Sequence, residues 1–380
     1  MVDPGSTMGA TIGVGVIGTG FMGKAHALAY QTAASLFSLP ARPILEMVAD
    51  NVRAGAERAQ RSFGFRRMTE DWRELIADPK IAIVSITTPT GLHHEMALAA
   101  IAAGKHVHCE KPLAANEADA RGMMEAAEAA GIATQVGFNY LKNPLLGLTR
   151  EMISAGELGE ITSFRGIHAE DYMADPEMPF SWRLEPAGGG VLADLGSHII
   201  GLARFLLGPI VSVFADLETV VKERPVAPGQ AERRTVTVDD IARLSVRFAR
   251  GVGGTIEANW VASGRSMQLG FEVYGSKGGL AFTQERMNEL LFYRAGGTRS
   301  QRGFVRIEAG PEHPPYGLFC PARGHQLGFN DLKTIEAAEF LAAIGGEPAK
   351  GPDFREGWEI QKVVDAARHS AESRSVLPVP

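Results

Sequence analysis

The stretch GVIGTGFMGKAHALAY, residues 15–30, runs from an apolar strand straight into a helix. Gly18, Gly20 and Gly23 fill G-x-G-x-x-G, with Phe21 and Met22 inside the motif. The first glycine permits a tight turn, the second lets backbone approach a pyrophosphate, and the third packs helix on strand. The helix N-terminus then favours phosphate charge. These five residues are the expected dinucleotide cradle. Glycine is common in turns, so the order strand, turn, helix gives the motif its weight.

The surrounding pattern agrees. TIGVGVIG (11–18), ILEMVAD (44–50), IAIVSI (81–86), KHVHCE (105–110) and IATQVGF (132–138) read as buried strands separated by Ala-rich amphipathic stretches. Nearly all-apolar strands alternating with helices imply a parallel sheet covered on both faces. After about residue 142 the texture changes. Helical stretches at 142–155 and 190–206 flank a strand at 160–169, and β-rich runs with Gly-containing connections follow from 209. These suggest hairpins in a largely antiparallel sheet. Residues 222–237 and 309–324 read as long loops, and helices are expected at 331–345 and 354–372. The expected class is α/β, an N-terminal Rossmann domain followed by an α/β domain with an open, predominantly antiparallel sheet.

At 380 residues the chain is long enough for two cores. A net charge of −6 argues against nucleic acid or an anionic membrane as partner. No apolar run is long enough to span a bilayer, and residues 1–10 read as a flexible leader rather than a signal peptide. Cys109 and Cys320 are too few for a disulfide framework, which fits a reducing cytoplasm. His93, His94, His106, His108 and Cys109 lie near one another in sequence. A zinc site would still need independently placed ligands, so no metal is expected.

Asp50 ends the second strand, where an acidic side chain accepts from ribose hydroxyls and repels a 2′-phosphate. That favours NAD, with NADP left open by Arg53 nearby; the alternative is that Asp50 only caps the next helix. In HCEKPLA (108–114), Pro112 pushes Lys111 away from helical geometry at a strand end. A lysine aimed there stabilises an alkoxide as hydride leaves; a solvated surface lysine is the plain alternative. In GGGVLADLGSHIIG (188–201), Asp194 and His198 are spaced one helical turn apart. They are either a proton-handling pair or a helix-start carboxylate and an ordinary histidine.

Taken in order, GTGFMG, TTPTGLHHEMALAAIAAGKHVHCEKPLA, GFN (137–139) and GGGVLADLGSH resemble the Gfo/Idh/MocA family of NAD(P)-dependent oxidoreductases. The resemblance covers nearly the whole chain. It implies a Rossmann domain over 11–140, a substrate-binding and oligomerisation domain over 141–353, and a helix at 354–380 returning to the first domain. It assigns Lys111, Asp194 and His198 to catalysis. Thr88, Pro89, His93, Glu110 and Asn139 would join the cofactor site. His198 would be the general base, Lys111 would stabilise the reacting oxygen, and Asp194 would orient them; the rival assignment gives the proton to Lys111. Inositol dehydrogenases carry an aspartate three residues beyond the histidine, where this chain has Gly201.

HAEDYMADPEMPFSWRL (168–184) and GFNDLKTIEAAEFLAAI (328–344) are similar to the family's levoglucosan dehydrogenase branch. Tyr172, Trp182 and Arg183 are then candidates to line a sugar pocket, since an aromatic stacks on a sugar face and an arginine donates to hydroxyls. A core tryptophan and a structural arginine pair are the alternative. The expected activity is NAD-dependent oxidation of a secondary hydroxyl on a sugar, anhydrosugar or cyclitol by a homodimer or homotetramer. Glycoside cleavage through transient oxidation and non-catalytic NAD-binding regulation are the rival functions.

Overall fold

In the computed structural model, which describes residues 10–380, the first third of the chain alternates strand and helix. The leader expected over 1–10 lies, but for Ala10, outside the described residues. The elements are β1 (Thr11–Ile17), α1 (Phe21–Leu36), β2 (Arg42–Ala49), α2 (Arg53–Phe63), β3 (Arg67–Thr69), α3 (Trp72–Ala77), β4 (Ile83–Ile86), α4 (His93–Ala102), β5 (His106–Cys109), α5 (Glu117–Ala130) and β6 (Thr134–Val136). All pairings in this sheet are parallel, in the order β3-β2-β1-β4-β5-β6. The order reverses between β1 and β4, and the carboxyl ends there are where ligands bind in such sheets. β3 was missed in the sequence because three residues are too few for a periodic signal.

The second part contains α6 (Pro144–Ser154), β7 (Ile161–Ala169), a π-helical segment Leu192–Gly196 and α7 (Ser197–Leu207). There follow β8 (Ile210–Glu218), β9 (Glu223–Pro225), β10 (Arg233–Thr235), β11 (Ile241–Phe248), β12 (Gly253–Asn259), β13 (Gln268–Gly275), β14 (Gly278–Thr283), β15 (Glu289–Arg294), β16 (Val305–Glu308) and α8 (Tyr316–Phe319). The chain closes with α9 (Phe329–Ile344), α10 (Phe354–Ser373) and β17 (Leu377–Pro378). The large sheet has the order β16-β15-β14-β13-β7-β12-β11-β8-β17, and every pair is antiparallel except β7 with β12. Strict alternation in β11, buried then exposed, shows a sheet covered on one face only. α7 lies on the covered face; a Cβ on Gly166 would sit 2.8 Å from Ile199.

The loop expected over 222–237 instead holds the β9–β10 hairpin. Arg224 of β9 is fully buried and donates to the carbonyls of Met173 and Asp175, while Phe180 N–H donates to Pro225. The hairpin thus braces the irregular segment that carries Tyr172, Trp182 and Arg183.

The domain boundaries differ from the sequence expectation in two respects. Residues to 114, 118–142 and 328–358 form one compact unit; 115–117, 143–327 and 359–380 form the other. α9, expected in the second domain, contributes Ala337, Ala338, Phe340 and Leu341 to the first unit's core with Val14, Ala29, Tyr30 and Val48. Beyond residue 358, α10 belongs to the second unit, and not to the Rossmann unit as expected. The physical reason is the small side chains of α1: Ala29 and Ala33 leave room for a second helix to pack closely on it.

Candidate active site

The cradle is built as its glycines require. Gly18 has φ +100°, and a Cβ there would come within 2.9 Å of the Thr87 carbonyl oxygen. A Cβ on Gly23 would lie 2.1 Å from the Gly18 carbonyl oxygen, so α1 can approach the turn only as glycine. Gly20, by contrast, has nothing within 4 Å, and as the N-cap of α1 it leaves the first-turn N–H groups uncapped by any side chain. Open space beside a bare helix N-terminus, with Phe21 two-thirds exposed, fits a pyrophosphate.

Asp50 lies just beyond β2, and its Oδ2 accepts from the Thr19 backbone N–H at 2.9 Å and hydroxyl at 2.5 Å. Its Oδ1 accepts from Val52 N–H at 2.9 Å in a local turn; Val52 is itself the N-cap of α2, which has no side-chain cap, so the capping alternative for Asp50 does not hold. Asp50 therefore clasps the glycine loop as well as offering acceptor capacity to a ribose. The Arg53 guanidinium is tied to Glu57 at 3.0 Å and Glu70 at 3.1 Å, which draws it away from service to a 2′-phosphate. Asp50→Ala should raise the NADP-to-NAD ratio of kcat/KM by about tenfold, the scale of one charged hydrogen bond. An unchanged ratio in steady-state assays would place cofactor discrimination elsewhere.

Among the other cofactor candidates, Asn139 is 2% exposed, and its Nδ2 has no hydrogen-bond partner among the described residues. A buried orphan donor is costly, and a bound dinucleotide would satisfy it. Thr88 and Pro89 lie between β4 and the turn that opens α4. His93 behaves differently from expectation. It is 1% exposed, with Nδ1 3.0 Å from the Pro112 carbonyl and Nε2 2.9 Å from that of Thr88. Both nitrogens face backbone carbonyls, and the neutral ring donates its single N–H to one of them, so neither nitrogen is turned toward a cofactor. Burial pushes its pKa down.

Lys111 follows β5 half-buried, and its peptide bond to Pro112 is cis. Glu110 turns into the interior, where His26 and Lys333 contact its carboxylate. It is thus a buried support rather than a cofactor-facing group. His108 faces this interior too, and His26, His108 and Glu336 present ligand atoms within 4.8 Å of one another. The Lys333 ammonium, 2.5 Å from Glu336, already supplies the cation there. The histidines weighed as metal ligands disperse: His106 accepts from Ala133 N–H, and His94 lies 3.9 Å from Asp119.

In the second unit, Asp194 sits in the π-helical segment and His198 in the first turn of α7; they are 8% and 6% exposed. The wider i→i+5 winding ahead of α7 means the plain α-helical spacing does not describe both residues. Asp194 Oδ2 accepts from the Tyr172 hydroxyl and from Arg183 Nε, each at 2.9 Å. Arg183 also lies 4.4 Å over the Trp182 ring, which is 37% exposed. Burial, with the Asp194 charge second, pushes the Tyr172 phenol well up, so it remains a donor. Both alternatives for Arg183 therefore hold: it makes an ion pair, and that pair is with the candidate site. Trp182 is not a core tryptophan.

The glycines have a local reason. A Cβ on Gly190, at φ +91°, would lie 2.3 Å from Asp239 Oδ1, while Asp239 Oδ2 accepts the Leu192 N–H at 2.7 Å. The run lets a buried aspartate anchor the segment that carries Asp194. Sequence reasoning missed Asp239 and also His168, whose ring meets that of His198 edge-on at 5.5 Å. His168 Nδ1 and Nε2 reach the Leu195 carbonyl and Glu170, both at 3.0 Å. A buried histidine ending a strand next to two acidic residues was the available signal.

Comparison with known proteins agrees with this geometry. The family model described as "Oxidoreductase family, NAD-binding Rossmann fold" matches residues 12–138, and "GFO/IDH/MocA C-terminal domain" matches residues 148–281. Levoglucosan dehydrogenase of Pseudarthrobacter phenanthrenivorans is 39% identical over 97% of this chain and 98% of its own. Myo-inositol 2-dehydrogenase of Thermotoga maritima is 29% identical over 76% of this chain and 80% of its own. A solved structure of levoglucosan dehydrogenase in complex with NADH and L-sorbose has a TM-score of 0.94 at 39% identity, covering 98% of this chain and 99% of that one. An NAD binding oxidoreductase from Klebsiella pneumoniae has a TM-score of 0.92 at 42% identity, covering 98% of this chain and all of that one, 100%. With both family models matched in order and a glycine cradle shaped for a dinucleotide, the chain belongs to the Gfo/Idh/MocA family of NAD-binding oxidoreductases.

Proposed function

We propose that the protein oxidises a secondary hydroxyl of a sugar, and of an anhydrosugar in particular, by reversible hydride transfer. Bound NAD supplies the hydride acceptor. His198 takes the hydroxyl proton in oxidation and returns it in reduction, a task suited to imidazole. Lys111 stabilises the negative charge that develops on the oxygen. Asp194 orients His198, and is itself held by Tyr172 and Arg183.

The observation that carries this proposal is the convergence of the sugar-site candidates on Asp194. A half-exposed tryptophan under an arginine whose Nε grips that carboxylate offers an apolar face beside several donors, as a sugar requires. The anhydrosugar class is supported by the levoglucosan dehydrogenase relatives and by Gly201 at the position where inositol dehydrogenases carry aspartate.

The test is the absorbance of reduced nicotinamide with NAD or NADP over levoglucosan, glucose, xylose, inositol stereoisomers and several glycosides. NADH formation greatest with levoglucosan is the expected result. Oxidation of inositols alone would overturn the anhydrosugar assignment; sugar release without NADH would point to glycoside cleavage.

The sheet's uncovered face supports a homo-oligomer. Phe214 on β8 and Leu291 on β15 are 40% and 37% exposed there among Arg165–Glu272 and Arg243–Asp216 pairs. Light scattering should give a multiple of the chain mass; a monomer would overturn this part. No helix among the described residues is long and apolar enough to cross a membrane. A cytoplasmic location is supported by the two free cysteines, of which Cys109 is buried.

A further inference from the structure

The first unit buries a polar network that hydride transfer itself does not call on. On α9, Lys333 and Glu336 are both 0% exposed, in the same helical stripe as Ala337 and Phe340. Lys333 Nζ lies 2.9 Å from Glu110 Oε1 and 2.5 Å from Glu336 Oε2. His26 Nε2 reaches the same Glu110 oxygen at 2.9 Å, while its Nδ1 faces the Ser85 hydroxyl. On the other side, His108 Nε2 lies 3.2 Å from Glu336 and its Nδ1 3.0 Å from the Tyr30 hydroxyl.

The protonation states close consistently. Burial, then the neighbouring His108 and Lys333, push His26 down to about 3. Its imidazole is neutral, so Nε2–H donates to Glu110 and Nδ1 accepts from Ser85. Burial alone would push the Glu110 carboxyl up; Lys333 and then His26 more than offset this and hold it well below its ordinary value. Glu110 is thus an ionised, fully enclosed carboxylate. Its Oε1 is held by two donors, and its Oε2 accepts the Lys111 backbone N–H at 3.2 Å. Gly137 forms the back wall, since a Cβ there would lie 2.4 Å from Oε1.

We infer that Lys333 is a positioning residue for the reaction: by clamping Glu110 it fixes the turn of chain that presents Lys111. A stability role alone does not require this arrangement. Apolar residues of similar volume commonly replace a buried ion pair without loss of stability. Here the network's cation is placed against the residue immediately before Lys111. The inference rests on the proposed role of Lys111 in oxidation.

The experiment compares wild type, Lys333→Met, the double variant Lys333→Met/Glu336→Met, and Lys111→Ala, each titrated with NADH and assayed with levoglucosan and NAD. The double variant removes one of the two carboxylates that Lys333→Met leaves unpaired, leaving only Glu110, and so remains informative where the single variant does not fold. The expected result is kcat lower by about tenfold or more, as for a small misplacement of a reacting group, with KM and NADH affinity within about threefold. A new acid limb should also enter the kcat profile, because Glu110, once released, takes up a proton as pH falls. A folded double variant with wild-type kcat and an unchanged pH profile overturns the inference, as does loss of folding in both variants. Wild-type turnover in Lys111→Ala would instead remove the catalytic assignment on which it stands.

Discussion

His198→Ala and Lys111→Ala are each expected to lower turnover by ~10²–10⁴-fold, the range for removing a positioned proton-transfer or charge-stabilising group. NADH affinity should stay within about threefold of wild type, because interactions made mainly in the transition state affect kcat rather than binding. His198 is 6% exposed in a helix fully packed on its sheet, so truncation also opens a cavity. His198→Asn, closer in volume, separates the chemical loss from the packing loss. Single-turnover hydride transfer and NADH fluorescence titration provide the two readouts. Wild-type turnover in both alanine variants would overturn the assigned chemistry.

The second large effect lies in the glycine loop. Gly23→Ala should weaken NADH binding by roughly tenfold to a hundredfold and lower the melting temperature, since overpacking costs ~1–3 kcal/mol. The new methyl would meet the Gly18 carbonyl, so α1 must withdraw from the turn. Gly20→Ala is the control with a different signature. Nothing lies within 4 Å of its Cβ position, so stability should hold while affinity falls, because the methyl stands where the pyrophosphate approaches. Equal losses of stability in the two variants would mean that both glycines serve packing only.

The fold was legible because its strongest signals are local. β1, β2, β4 and β5 are short apolar runs, and the glycines after β1 announce their own turn. The second sheet was legible through alternation in β8 and β11, but β9 and β10 are polar runs of three residues, and β15 (ELLFYR) and β16 (VRIE), though apolar or alternating, are too short for the pattern to stand out.

Of the site, the residues carried by motifs could be read, and their partners could not. Asp194 stood out in the sequence; that Tyr172 and Arg183 would reach it depended on a loop braced by a hairpin that the sequence concealed. Glu110 stood out beside Lys111, but its partners His26 and Lys333 come from two helices distant in sequence. A faint mark was present even so. His26, Ala29, Tyr30 and Ala33 form one apolar stripe of α1, and Lys333, Glu336, Ala337 and Phe340 form one of α9. Polar groups inside such stripes point to partners in the interior, without naming them.

The discontinuity of the first unit has a consequence for how the protein is made. A ribosome that has released residues 10–142 has produced all six strands of the parallel sheet but not α9. Until residues 329–344 emerge, α1 has no cover on its alanine face, and Glu110 and His108 await their partners Lys333 and Glu336. The nascent nucleotide domain is therefore an unfinished body during most of translation, dependent on a helix encoded after all but the last strand of the second sheet.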